Sequence, residues 1–211
     1  VTNLSKWNEK TQVKKGDIGE AIVRGLLEKY GWIVLKPVTN AAHYFDMLSI
    51  KPKSEEFKAF IVEVKTKAKR NLRNDTGIDV KHYESYQKVA REMNISLFLC
   101  FVDEMLCKVY GASLDKLSKQ YVDKGGYIYP LIEENKFGKI IYFSLDVMQD
   151  IYDLSNVEVE SIKNFNTRNY DFKDTAPTAI GNGTISTNYG NIVHKNNTFI
   201  PNYNNFSKRK I

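Results

Sequence analysis

Ala59-Phe60-Ile61-Val62-Glu63-Val64-Lys65 is the stretch whose reading decides the fold of this chain. It is apolar and β-branched up to its end, the pattern of a buried strand. Side chains alternate along a strand, so Glu63 and Lys65 share one face while Val62 and Val64 share the other. A carboxylate beside an ammonium at the polar end of an apolar strand is costly to desolvate and calls for a partner. By itself a Glu-x-Lys triplet is common and most often marks a surface ion pair. What surrounds it gives this one more weight.

Upstream, His43-Tyr44-Phe45-Asp46-Met47-Leu48-Ser49-Ile50 is a second strand-like run, and Lys51 to Glu56, with Pro52, reads as a turn. An antiparallel pair joined there would carry Asp46 toward Glu63. Two carboxylates and the Val64 carbonyl make an oxygen-rich half-shell suited to Mg²⁺ or Mn²⁺, with waters completing the octahedron. Lys65 would then orient a water or offset charge on a phosphate. Further upstream, apolar residues at 18, 22, 23, 26, 27 and 30 predict a helix, with Asp17 as N-cap and Gly31 as stop. This puts Glu20 in the first turn, where an acid is favoured by the helix dipole alone.

The resulting order is a helix with Glu20, a strand, a strand with Asp46, a strand with Glu63-x-Lys65, a helix and a strand. It resembles the PD-(D/E)XK nuclease superfamily, which includes restriction endonucleases, Holliday-junction resolvases and RecB-type nuclease domains. The resemblance runs from Lys14 to Ala112. It gives Asp46 the place of the first acid, Glu63 and Lys65 those of the second acid and the lysine, and Glu20 that of the first-helix acid. One departure is Phe45, which stands where the motif has proline. The resemblance implies a restriction-endonuclease-like α/β fold, a mixed central sheet of four or five strands flanked by helices. It implies a Mg²⁺-dependent nuclease, with Mn²⁺ as substitute, acting as a DNA endonuclease. Asp46 and Glu63, with the Val64 carbonyl, would hold the metal, and Glu20 a second metal or its water shell. The alternative is a non-catalytic nucleic-acid-binding module on the same fold.

The chain of 211 residues carries a formal charge of +6, which fits a polyanionic partner without requiring one. Five basic residues follow one another closely at Lys65, Lys67, Lys69, Arg70 and Arg73. In a nuclease, Lys67, Lys69, Arg70 and Arg73 would contact phosphates; otherwise they form a solvated loop. Val80 to Met93 reads as a second helix capped by Asp79, and the resemblance makes Tyr83 and Gln87, with Tyr86, candidates to face the site. His82 has no spacing partner for a metal and reads as a surface residue. Ile95 to Val102 reads as a central strand buried on both faces. Lys108–Ala112 and Lys139–Leu145 read as strands, and Asp146–Leu154 as a short helix. Cys100 and Cys107 lie in apolar surroundings and are expected to be buried free thiols in a reducing, cytoplasmic setting.

No run of about 18 apolar residues exists, so no membrane span is expected. The opening residues lack a signal-peptide core. From Asn156 the composition turns rich in Asn, Thr, Gly and Tyr. We therefore expect a nuclease-like domain over residues 1–155 and a tail or small β appendage over 156–211 that helps build a twofold homodimer. No helicase motif is present, so translocation would need a helicase or other partner protein.

Overall fold

A computed structural model describes residues 11–38, 43–52, 58–136 and 138–165. The decisive stretch lies inside β3 (Lys58–Thr66), which pairs antiparallel with β2 (Met47–Lys51), Met47 opposite Val62. On its other side β3 runs parallel to β5 (Ser96–Asp103), Glu63 level with Leu99. The short β1 (Ile33–Leu35), β6 (Lys108–Ser113) and β11 (Gln149–Asp153) extend this to a six-stranded mixed sheet in the order β1-β2-β3-β5-β6-β11. The fold is thus the expected mixed sheet flanked by helices, with one strand more than foreseen. The parallel β3–β5 pair needs a crossover. The chain makes it through β4 (Asp75–Asp79) and α2 (Val80–Met93).

The two faces of the sheet have separate cores. Phe60, Val62, Val64, Phe98 and Cys100 pack with Val23 and Leu27 of α1 (Thr11–Lys29). Ile61, Leu97, Leu99 and Phe101 pack with Tyr86 and Val89 of α2. The strand alternation therefore holds: Glu63 and Lys65 continue the Ile61 row, on the side of α2. β5 is buried along nearly its whole length, as its unbroken apolar run required.

Three expectations need correction. α1 begins at Thr11, so Asp17 is an interior residue rather than an N-cap, and Glu20 stands mid-helix. Residues 146–154 do not form a helix. A 3₁₀ turn (Leu145–Val147) leads into β11, which pairs with β6 across a bulge between Asp150 and Tyr152. Cys100 is buried, but Cys107 is exposed in the β5–β6 turn at φ 53°. α4 (Asn156–Lys163), capped by Ser155, inserts Val159 and Ile162 into the α1-side core. The remainder of the expected tail, from residue 166, lies outside the described residues.

Four further strands, β4 and three more, were not anticipated. β9 (Leu131–Asn135) and β10 (Gly138–Ser144) join β4 in a small antiparallel sheet, β4-β10-β9. The expected strand over 139–145 is thus present, but outside the central sheet. β7 (Tyr121–Val122) and β8 (Ile128–Tyr129) form a two-stranded ribbon after the single-turn helix α3 (Leu114–Leu117). No described helix is long and apolar enough to cross a membrane.

Candidate active site

The β2–β3 ladder runs out at Met47, one residue after Asp46. Here the Asp46 carboxylate takes over from the backbone: its Oδ2 accepts the Val64 N–H at 2.7 Å. A strand residue turns its N–H and C=O to the same edge. The Val64 carbonyl therefore faces the edge that Asp46 occupies. Asp46 itself is only 6% exposed.

Glu63 is held from two sides. Lys65 Nζ donates to its Oε1 at 2.6 Å, and Tyr86 Oη donates to the same oxygen at 2.5 Å. The Lys65 ammonium lies 5.6 Å from the centre of the Tyr86 ring. Burial works against a charged Lys65, but Glu63 and its hydrogen bond outweigh it and raise the ammonium's pKa. Burial, together with Glu63, raises the Tyr86 phenol. Both shifts favour the charged ammonium of Lys65 and the neutral phenol of Tyr86.

Glu20 reaches this corner because α1 sits directly on the end of β3. A Cβ at Gly19 would meet Thr66 Oγ1 at 1.9 Å, so no residue larger than glycine fits without a shift. Lys36, just past β1, donates to Glu20 Oε2 at 2.6 Å. The concentration of acid registers on Asp46. Burial, then the charges of Glu63 and Glu20, push its pKa up to about 7, against the pull of the Val64 N–H and Lys65. Glu63 and Glu20 are thus each close enough to repel the Asp46 carboxylate.

Among the described residues no three His, Cys, Asp or Glu side chains stand together as a ready-made metal cage. The donor set is a more open one: two carboxylates and a backbone carbonyl, with Glu20 nearby. This fits Mg²⁺, which keeps most of its waters and binds through one or two carboxylates.

The basic run and the second helix sort differently. Lys67 Nζ donates to the Gly77 carbonyl at 2.7 Å, and Lys69 Nζ to the Arg70 carbonyl at 3.3 Å. Arg70 makes a two-pronged bond to Asp75, and both Arg70 and Arg73 bind Glu133. These side chains line the loop after β3, but all four also hold the protein to itself. On α2, Gln87 donates to Tyr83 Oη at 2.8 Å, and Tyr83 shares a hydrogen bond with Ser118 while its ring packs on Phe143. Tyr83 and Gln87 are thus tied toward α3 and β10, whereas Tyr86 touches Glu63. Sequence reasoning raised Tyr86 without choosing it; the choice depends on which helix face meets β3. It missed Lys36 and Glu133 altogether.

No family model matches the chain, and no curated protein does. Among solved structures it is similar to Hjc, a Holliday junction resolvase from Archaeoglobus fulgidus, with 11% identity and a TM-score of 0.41 over 65% of this chain and 92% of that one. It is also similar to a nuclease from a fusselovirus, with 9% identity and a TM-score of 0.36 over 78% and 95% of the two chains.

Proposed function

We propose that the protein is a Mg²⁺-dependent nuclease, with Mn²⁺ as substitute, that hydrolyses phosphodiester bonds in DNA as an endonuclease. The observation that carries this reading is the buried Asp46. Its pKa is raised to about 7 by burial and by two neighbouring acids, beside the fixed Glu63–Lys65 pair. Acids held together against their repulsion are characteristic of sites that bind a cation.

Asp46, Glu63 and the Val64 carbonyl would hold the ion, with Glu20 reaching its outer side. When bound, a divalent cation polarises a phosphate and lowers the pKa of water beside it. The protein's own groups do the rest. Tyr86 and Lys65 fix the Glu63 carboxylate in one orientation. Lys65 places a cation where negative charge grows on the phosphate. The basic loop after β3 supports the strand being cut through phosphate contacts.

The test is cleavage of supercoiled, linear, single-stranded and branched DNA with Mg²⁺, Mn²⁺, Ca²⁺ or EDTA. Cutting is expected with Mg²⁺ and Mn²⁺ alone, and binding without cutting with Ca²⁺. Asp46→Ala, Glu63→Ala and Lys65→Ala should each lose at least about a hundredfold in rate while remaining folded. Full activity in any one of them would remove that residue from the mechanism. Binding of every DNA form with cleavage of none would favour a non-catalytic binding module.

A further inference from the structure

Past the end of β3, the two arginines of the basic loop converge on a single carboxylate. Arg70 Nη1 meets Glu133 Oε2 at 2.6 Å, and Arg73 Nη1 meets Glu133 Oε1 at 2.7 Å. Two guanidiniums forked about two oxygens is the arrangement that binds a phosphate group. We propose that Arg70 and Arg73 form a phosphate clamp which Glu133 fills in the free protein, and that a backbone phosphate of bound nucleic acid displaces the Glu133 carboxylate. This rests on the nucleic-acid reading above for the source of the phosphate.

The clamp is built to survive the exchange. Arg70 is held independently of Glu133: its Nε and Nη2 bind Asp75 at 2.6 and 2.5 Å, and its guanidinium lies 3.6 Å from the centre of the Tyr142 ring. Arg73 lies 4.2 Å from the centre of the Tyr127 ring. Both are therefore pre-oriented, which lowers the cost of binding. Glu133, by contrast, can leave. It stands on β9, at the edge of the small sheet, with its side chain 38% exposed. Half-exposed ion pairs stabilise little, and a phosphate would return both charge-assisted hydrogen bonds. The clamp also lies close to the cutting centre. Arg70 follows Lys65 by five residues, at most about 18 Å of chain, so both can engage one nucleic-acid backbone.

Binding of a labelled short DNA duplex in EDTA, titrated with salt, tests this without any need for cleavage. Glu133→Gln should bind about 3–10-fold tighter than the parent, with the log K against log salt slope steeper by about one. Glu134→Gln makes the same change of charge one residue along the strand, away from the arginines, and should gain less than half as much. Adding Arg73→Ala to Glu133→Gln should cancel the gain. Equal gains for Glu133→Gln and Glu134→Gln would overturn the proposal, as would a gain that survives Arg73→Ala, or no duplex binding by any of them. Failure of the nuclease reading looks different: the binding differences would stand while Mg²⁺ produced no cleavage.

Discussion

Two charged corners flank the end of β3, and they are built on opposite principles. In the first, Asp46, Glu63 and Glu20 face Lys65 and Lys36, and burial, then the neighbouring acids, drive Asp46 toward neutrality. In the second, Arg70 and Arg73 face Asp75 and Glu133, and the charges balance. Asp75 is wholly buried, yet it accepts from both prongs of Arg70 and from Tyr129 Oη at 2.8 Å. The balanced corner stabilises the fold by fastening the loop after β3 to the small sheet. In the unbalanced one, ionising Asp46 costs stability. A charge cluster becomes a candidate site when its own partners leave it unsatisfied.

The sharpest way to break this contrast is to remove the deep anchor of the balanced corner. Asp75→Ala leaves Arg70 partly buried with one partner fewer and leaves Tyr129 without its acceptor. It should cost about 3–5 kcal/mol of stability by chemical denaturation. Glu133→Gln, at the exposed end of the same network, should cost less than about 1 kcal/mol. Comparable losses would mean that the two acids are equally structural, and that Glu133 is not free to leave.

The unbalanced corner should answer with the opposite sign. Asp46 has its folded-state pKa raised from 3.8 to about 7. An acid shifted upward destabilises the folded state progressively as pH rises between those two values, since burial resists its ionisation. Without divalent ions, Asp46→Asn should therefore be more stable than the parent at pH 8, by about 2–4 kcal/mol, and no more stable at pH 4. The amide oxygen can still accept the Val64 N–H. Mg²⁺ should stabilise the parent increasingly from pH 6 to pH 8, as Asp46 ionises, and leave the variant unaffected. Thermal melts at the two pH values check both statements. A destabilised Asp46→Asn at pH 8 would show that Asp46 is a satisfied structural acid.

The first corner was legible in the sequence and the second was not, for a physical reason. Glu63 and Lys65 are two apart on one strand, and Asp46 is one hairpin away, so local periodicity brings them together. Arg70 and Arg73 are local too, but Glu133 lies 63 and 60 residues further on, and pairing over such distances depends on sheet topology. β11 misled for another reason. Val147, Met148, Ile151 and Leu154 have helical spacing, but the bulge beyond Asp150 breaks the alternation of a real strand, so that both Ile151 and Tyr152 pack on the core. α4 did carry a signal. Ser155 and Glu158 form a capping box, a start marker directly at the expected domain boundary.

The last comparison is between the two sides of the acidic corner, where Glu63 is set by a strand and Glu20 by the approach of a helix. That approach depends on Gly19. Gly19→Ala should gain helix propensity of about 1 kcal/mol. It must also place a methyl against Thr66, whose β-branched side chain turns stiffly and whose Oγ1 is buried without a hydrogen-bond partner. Overpacking of this kind costs about 1–3 kcal/mol, so the net loss should be about 1 kcal/mol. The more telling consequence is electrostatic. If α1 moves outward, Glu20 retreats from Asp46, and the pKa of Asp46 should fall, by less than it would on losing Glu63, the stronger of the two acid neighbours. The pH at which the stability of the Gly19→Ala protein declines should then be lower than in the parent. An unchanged midpoint would mean that Glu20 acts on Asp46 from wherever Lys36 holds it, and that the tight seat of α1 serves packing alone.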